Sequence, residues 1–122
     1  MPEEVEIQEP AVLVRLTTHG GTKKRPLELR PDELRERTLC CWLLDARRIE
    51  KAEYAFALSD GVVLEVYSLQ GSELDHEDEK GRQRRRLIGA LAPDAVRQQY
   101  IGKSVKQYLP RGSVSPVRYV GV

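Results

Sequence analysis

A two-residue Asp60-Gly61 link joins two β-rich runs, Tyr54-Ala55-Phe56-Ala57-Leu58-Ser59 and Val62-Val63-Leu64-Glu65-Val66-Tyr67. The hairpin turn that fits such a link needs positive φ at both positions, which Asp and Gly tolerate well. The chain therefore makes an antiparallel hairpin here, and the turn length sets its register. Ser59 then faces Val62, Ala57 faces Leu64 and Ala55 faces Val66. On the other face Leu58 meets Val63, Phe56 meets Glu65 and Tyr54 meets Tyr67. Neither face is polar throughout, so the hairpin belongs at the centre of a sheet. One face sets small against large aliphatic side chains. The other is aromatic, with a single carboxylate in it.

The rest of the chain supplies elements to pack on this hairpin. Ala11 to Leu16 is a short β-branched run and reads as a strand. Thr18 to Arg25 holds Gly20-Gly21 and Lys23-Lys24-Arg25 and reads as a basic loop. Pro31 takes the first position of a helix, with Asp32 and Glu33 in its first turn, and the helix is expected to run to about Trp42. Asp45 caps a second short helix through Lys51. Ser72 to Gly81 reads as a charged loop, and Arg82 to Leu91 as a third strand that is basic at its entry and apolar at its end. Pro93-Asp94 opens a helix to about Gln99, and Val117 to Val120 closes as a last strand. Strands separated by short helices around a central hairpin predict an α+β fold. Its curved antiparallel sheet, or small partly open barrel, would carry two or three short helices.

The 122 residues suit one domain, with 1–10 as an acidic, frayed tail and 11–122 as the folded unit. A hydrophobic fraction of 40% beside 32% charged residues describes a globular chain with a heavily charged surface. The net charge of +1 excludes a global basic field, so any nucleic-acid site must come from local clustering. No apolar stretch approaches the ~20 residues that span a bilayer, and the start of the chain lacks a signal-peptide pattern. These features point to the cytoplasm and away from a membrane. Cys40 and Cys41 are adjacent. Side chains of neighbouring residues point apart, so the expectation is two reduced thiols. With no C-x-x-C spacing, and with His19 and His76 far off in sequence, no metal or other cofactor is expected.

Short motifs carry little chemistry. Gly102-Lys103-Ser104 resembles the end of a phosphate loop, but Arg97 stands where that motif needs its first Gly. Tyr100-Ile101-Gly102 is half of a GIY-YIG nuclease signature without the other half. Asp78-x-Lys80 after Glu65 fits a metal nuclease pattern only if Asp78 were held on a rigid element. His76 among acidic residues reads as a surface histidine, and His19 has no nucleophile to serve. No catalytic residue is nominated.

Two constellations remain. The first is a set of basic clusters: Lys23, Lys24 and Arg25; Arg47 with Arg48; Arg84 and Arg86; and Lys103, Lys106, Arg111 and Arg118. If several converge, they make a phosphate-binding face. Otherwise they offset the 19 acidic residues as ordinary surface. The second is Glu65 among Tyr54, Phe56 and Tyr67, with Trp42 as a further wall. Aromatic rings stack on unpaired bases, and a carboxylate accepts from base amino groups. The competing reading packs the rings into the core and pairs Glu65 with an arginine, Arg84 or Arg86.

Several segments together resemble a family of small, uncharacterised bacterial proteins. They are Tyr54 to Leu58, Gly61-Val62-Val63, Glu65-Val66-Tyr67, Gly89, Ala92, Tyr100 to Val105, and Gly112, Pro116, Arg118 and Tyr119. The likeness covers roughly residues 52–120. Its strand pattern looks like the PUA-like superfamily of EVE, ASCH and YTH domains, which mostly bind RNA or modified DNA. The resemblance implies a PUA-like domain over 11–122 and a non-catalytic partner role toward RNA or single-stranded DNA. An ASCH-like hydrolase or nuclease, or a domain that binds a protein partner, are the alternatives. The pattern's Asn before a Pro is here Ser115, and its aromatic near position 87 is Leu87.

Overall fold

The computed structural model describes residues 2–16, 25–112 and 115–122. Strands β1 (Ala11–Arg15), β2 (Cys40–Trp42), β3 (Tyr54–Ser59), β4 (Val62–Glu77), β5 (Gln83–Leu91) and β6 (Val117–Val120) form one curled sheet in the order β2-β5-β4-β3-β1-β6. Helices α1 (Pro31–Leu39), α2 (Ala46–Lys51) and α3 (Asp94–Tyr100) cover it. The fold is α+β, with the sheet bent into a half-barrel.

The expected antiparallel sheet is in fact mixed, because β1 runs parallel to β3. A parallel pair needs a long crossover, and the segment carrying α1, β2 and α2 supplies it. Burial on both faces follows. Ala11 to Val14 and Tyr54 to Leu58 are all buried, without the alternation of a half-exposed strand. One core gathers Leu13, Phe56, Val63, Val66 and Tyr100; the other gathers Val12, Val14, Leu39, Ile49 and Tyr67.

The Asp60-Gly61 turn forms as expected, with φ of 52° and 77°. The register holds for Ser59 with Val62 and for Leu58 with Val63. It then slips at a bulge, so that Ala57 pairs with Glu65, Phe56 with Val66 and Ala55 with Tyr67. The expected pairing of Ala57 with Leu64 is therefore corrected. Strict alternation would put Val63 and Val66 on opposite faces. The bulge lets both enter the Phe56 core and sends Tyr67 to the other side.

Three further expectations change. Helix α1 stops at Leu39, and residues 40–42 become the edge strand β2, hydrogen-bonded to β5. The acidic stretch from Ser72 is strand through Glu77: Glu73 sits across from Arg86, and Asp75 reaches the same guanidinium at 3.4 Å. Opposite charges on paired strands stabilise a ladder that strand propensity alone would not.

The tail, expected to fray, is tied down. Ser104 N donates to Glu3 O at 2.7 Å, Val5 N to Ser104 O at 3.0 Å, and Ile7 N to the Tyr108 hydroxyl at 2.9 Å. Val5 and Ile7 also pack on the Phe56 core. The Tyr100 ring is fully buried, 4.8 Å from Phe56, and its hydroxyl donates to Glu9 at 2.8 Å. Burial pushes that phenol up to about 12, and the Glu9 carboxylate adds to the shift.

The Asp45 cap is as expected: its carboxylate accepts from Arg47 N at 3.0 Å and Arg48 N at 3.4 Å. No helix among the described residues is long and apolar enough to cross a membrane.

Candidate functional site

The antiparallel pairing of β1 with β6 sets Leu13 beside Arg118 and Val12 beside Tyr119. The start of α2 is tied to β6, since Asp45 N donates to the Tyr119 hydroxyl at 2.9 Å. The Arg48 guanidinium lies over the Tyr119 ring, 4.6 Å from its centroid. Arg118 Nε donates to Tyr108 O at 3.2 Å, which anchors the head of that side chain near the 105–110 segment. A cavity of about 320 Å³ opens here, walled by Arg15, Arg48, Arg118 and Tyr119 among others.

A second cavity of about 870 Å³ shares Arg15, Leu109 and Pro110 with the first and adds Lys106, Arg111 and Asp60. Common walls make the two one groove. Among the described residues it carries Arg15, Arg48, Lys106, Arg111 and Arg118 against the single carboxylate of Asp60. The turn glycine shapes this floor twice. Gly61 takes positive φ, and a Cβ there would collide with the Lys106 side chain lying over the turn.

The nominated basic residues divide. Arg118 lines the groove, and Arg48 does so in place of its neighbour Arg47, which is exposed on the first turn of α2. Others are engaged by carboxylates. Arg84 Nε is 3.1 Å from Asp78, and Arg86 reaches Glu36 at 2.5 Å and Asp75 at 3.4 Å. Lys103 pairs with Glu3 at 2.6 Å, and Arg25 with Glu28 at 3.4 Å. Lys23 and Lys24, like His19, lie outside the described residues. Arg15 and Tyr119 are not among the site residues nominated from sequence. The one legible signal was Arg15 as the charged member of an otherwise apolar strand.

The rings nominated as a pocket fall into two core clusters. Tyr54 and Phe56 belong to one core and Tyr67 to the other, with exposures of 8%, 0% and 1%. Trp42 packs against the Tyr67 core, and its indole N–H donates to Thr38 O at 2.9 Å. These rings pack the two sides of the sheet and do not share an opening. Glu65 is paired with an arginine, as the competing reading held. The partner is Arg97 of α3, not Arg84 or Arg86.

At the far end of the sheet, Cys40 and Cys41 lie side by side in β2, and Cys41 Sγ is 3.5 Å from Asp75 Oδ2. Cys41 does not continue a regular strand: it is the extra residue between the Cys40–Arg86 and Trp42–Arg85 pairs. Both sulfurs lie within 4.8 Å of an Asp75 carboxylate oxygen, a grouping that residue spacing along the chain does not reveal.

Comparison of the chain with protein families, with curated proteins and with solved structures gave no match.

Proposed function

We propose that the chain is a non-catalytic binding module that holds RNA or single-stranded DNA by its phosphates. The reading rests on one observation: Arg15, Arg48, Lys106, Arg111 and Arg118, drawn from distant parts of the chain, line one groove with a single carboxylate among them. A net charge of +1 makes such local concentration informative. Lysine and arginine position a strand through its phosphates without reading its sequence. The groove offers cations and little exposed aromatic surface, so the module grips backbone and does not stack bases. The finer fold reading, a PUA-like domain in the cytoplasm, agrees in function with this site. Fold analogy alone would not establish it.

The test is fluorescence anisotropy with short labelled RNA and single-stranded DNA over a range of salt. Affinity should fall as salt rises, by counterion release. Arg48→Ala with Arg118→Ala should flatten the log–log slope by about 0.7 for each phosphate no longer neutralised. Arg84→Ala with Arg86→Ala, on the ion-paired face, should leave the slope unchanged. Binding that ignores salt, or that responds equally to both double variants, overturns the reading.

A further inference from the structure

The edge of the sheet opposite the basic groove is only partly covered. Strand β2 pairs with β5 at Arg85 and Arg86 and no further, so no strand among the described residues accompanies Leu87 to Leu91 on that side. In an antiparallel pair, successive residues bond across the ladder or turn away from it by turns. Ala92 N donates to Val66 O of β4 at 3.0 Å. By that alternation Gly89 and Leu91 turn their N–H and C=O groups to the open side. Arg35 Nη2 of α1 meets them there, donating to Gly89 O at 2.6 Å.

Open edges are templates for a further strand, and proteins commonly blunt them with charge. This edge carries none of its own: Leu87-Ile88-Gly89-Ala90-Leu91 holds no charged side chain in a sequence that is 32% charged. Ile88 and Leu91 are 38% and 55% exposed. A cavity of about 540 Å³ runs beside the edge. Asp32, Arg35, Glu36 and Leu39 of α1 form one wall, at the spacing of a single helix face, and residues 86–89 of β5 form the other. Such a slot suits an extended chain, which hydrogen-bonds the strand edge while its side chains meet the walls. The charge of the lining selects the chain. Three carboxylates, Asp32, Glu36 and Glu73, face two guanidiniums, Arg35 and Arg86. Arg86 is already held by Glu36 at 2.5 Å and by Asp75 at 3.4 Å. Among the described residues, Asp32 and Glu73 have no side-chain partner.

We propose that this slot binds an extended, basic segment of a partner protein, which joins the sheet beyond β5. A backbone N–H of the segment replaces the Arg35 guanidinium at Gly89 O. Its lysines or arginines meet Asp32 and Glu73, and its apolar side chains cover Ile88 and Leu91. The slot and the basic groove lie at opposite edges of the sheet, so this binding does not depend on nucleic acid.

The experiment titrates a fluorescein-labelled peptide of alternating lysine and valine with the full chain and reads its anisotropy. A peptide of alternating glutamate and valine is the control. The lysine peptide should bind and the glutamate peptide should not. Strand addition has a signature that charge alone does not give. Alternate N–H groups of the peptide face β5, so N-methylation of one set, lysines or valines, should abolish binding, and N-methylation of the other should spare it. This comparison needs no variant of the protein. Asp32→Asn with Glu73→Gln should weaken binding by about tenfold, as two surface ion pairs are lost. Glu77→Gln with Glu79→Gln, at the β4–β5 hairpin, should leave it unchanged, with circular dichroism showing that both variants are folded. A lysine peptide that does not bind overturns the proposal, as does equal weakening by the two double variants. So does N-methylation that acts equally in both sets. Sedimentation of the chain alone as a dimer that Leu91→Lys returns to monomer overturns it too, in favour of a second copy in the slot.

Discussion

Glu65 on β4 and Arg97 on α3 meet through two hydrogen bonds, Nε to Oε1 at 2.7 Å and Nη2 to Oε2 at 3.0 Å. The geometry is bidentate, and the Glu65 side chain is only 14% exposed. Arg97 also reaches Asp94 at 3.3 Å, and its guanidinium is held above its usual range by the Glu65 hydrogen bonds and charge. The pair fastens α3 to the sheet at the slipped hairpin register.

Removing one member of such a pair leaves the other desolvated without its counter-charge. Glu65→Gln should lower the melting temperature by a few degrees. Arg97→Met should do the same, and the double variant should lose less than the two together. Thermal unfolding followed by circular dichroism measures the cycle. Additive losses would mean that the two residues act separately.

Asp78 closes the β4–β5 hairpin. Its carboxylate accepts from the backbone N–H of Lys80 and Arg82, each at 2.9 Å, and from Arg82 Nε and Arg84 Nε at 2.9 and 3.1 Å. Desolvation pushes the carboxyl up, but these donors together outweigh it and hold it at about 2, below the ordinary 3.8. The unfolded chain therefore binds more protons between those values, and stability rises with pH there. The contribution of Asp78 is fully present above pH about 4 and is lost as pH falls through about 2. Asp78→Asn should flatten the acid limb of a stability-against-pH curve in that window and leave its shape near neutrality alone. Urea unfolding at stepped pH values measures this.

Gly89 on β5 sits where a Cβ would collide with the Ser68 carbonyl oxygen of β4. The β4–β5 register shifts beside it, between Leu69 and Gly71. Gly89→Ala should cost about 1–3 kcal/mol, the usual range for overpacking. Gly112→Ala, where nothing lies within 4 Å but φ is +79°, should cost less, through backbone conformation alone. Equal losses in chemical denaturation would show that the close strand approach is not what Gly89 serves.

The sequence by itself determined the elements whose signals are local. The Asp60-Gly61 turn, the Asp45 cap, the apolar run of β1 and the Pro93-Asp94 helix start each depend on residues within one turn of themselves. Tertiary structure decided what depends on pairing partners. Ser72 to Glu77 became strand because arginines of β5 lie opposite, and Cys40 to Trp42 left the helix because a sheet edge was there to join. Bulges at Leu64, Cys41 and Asp75 moved side chains between faces, and a one-residue slip of that kind leaves no mark in a strand pattern. The groove was illegible for the same reason. Arg15, Arg48, Lys106 and Arg118 are far apart in the chain, and they converge because β1 pairs with β6 while α2 docks on Tyr119.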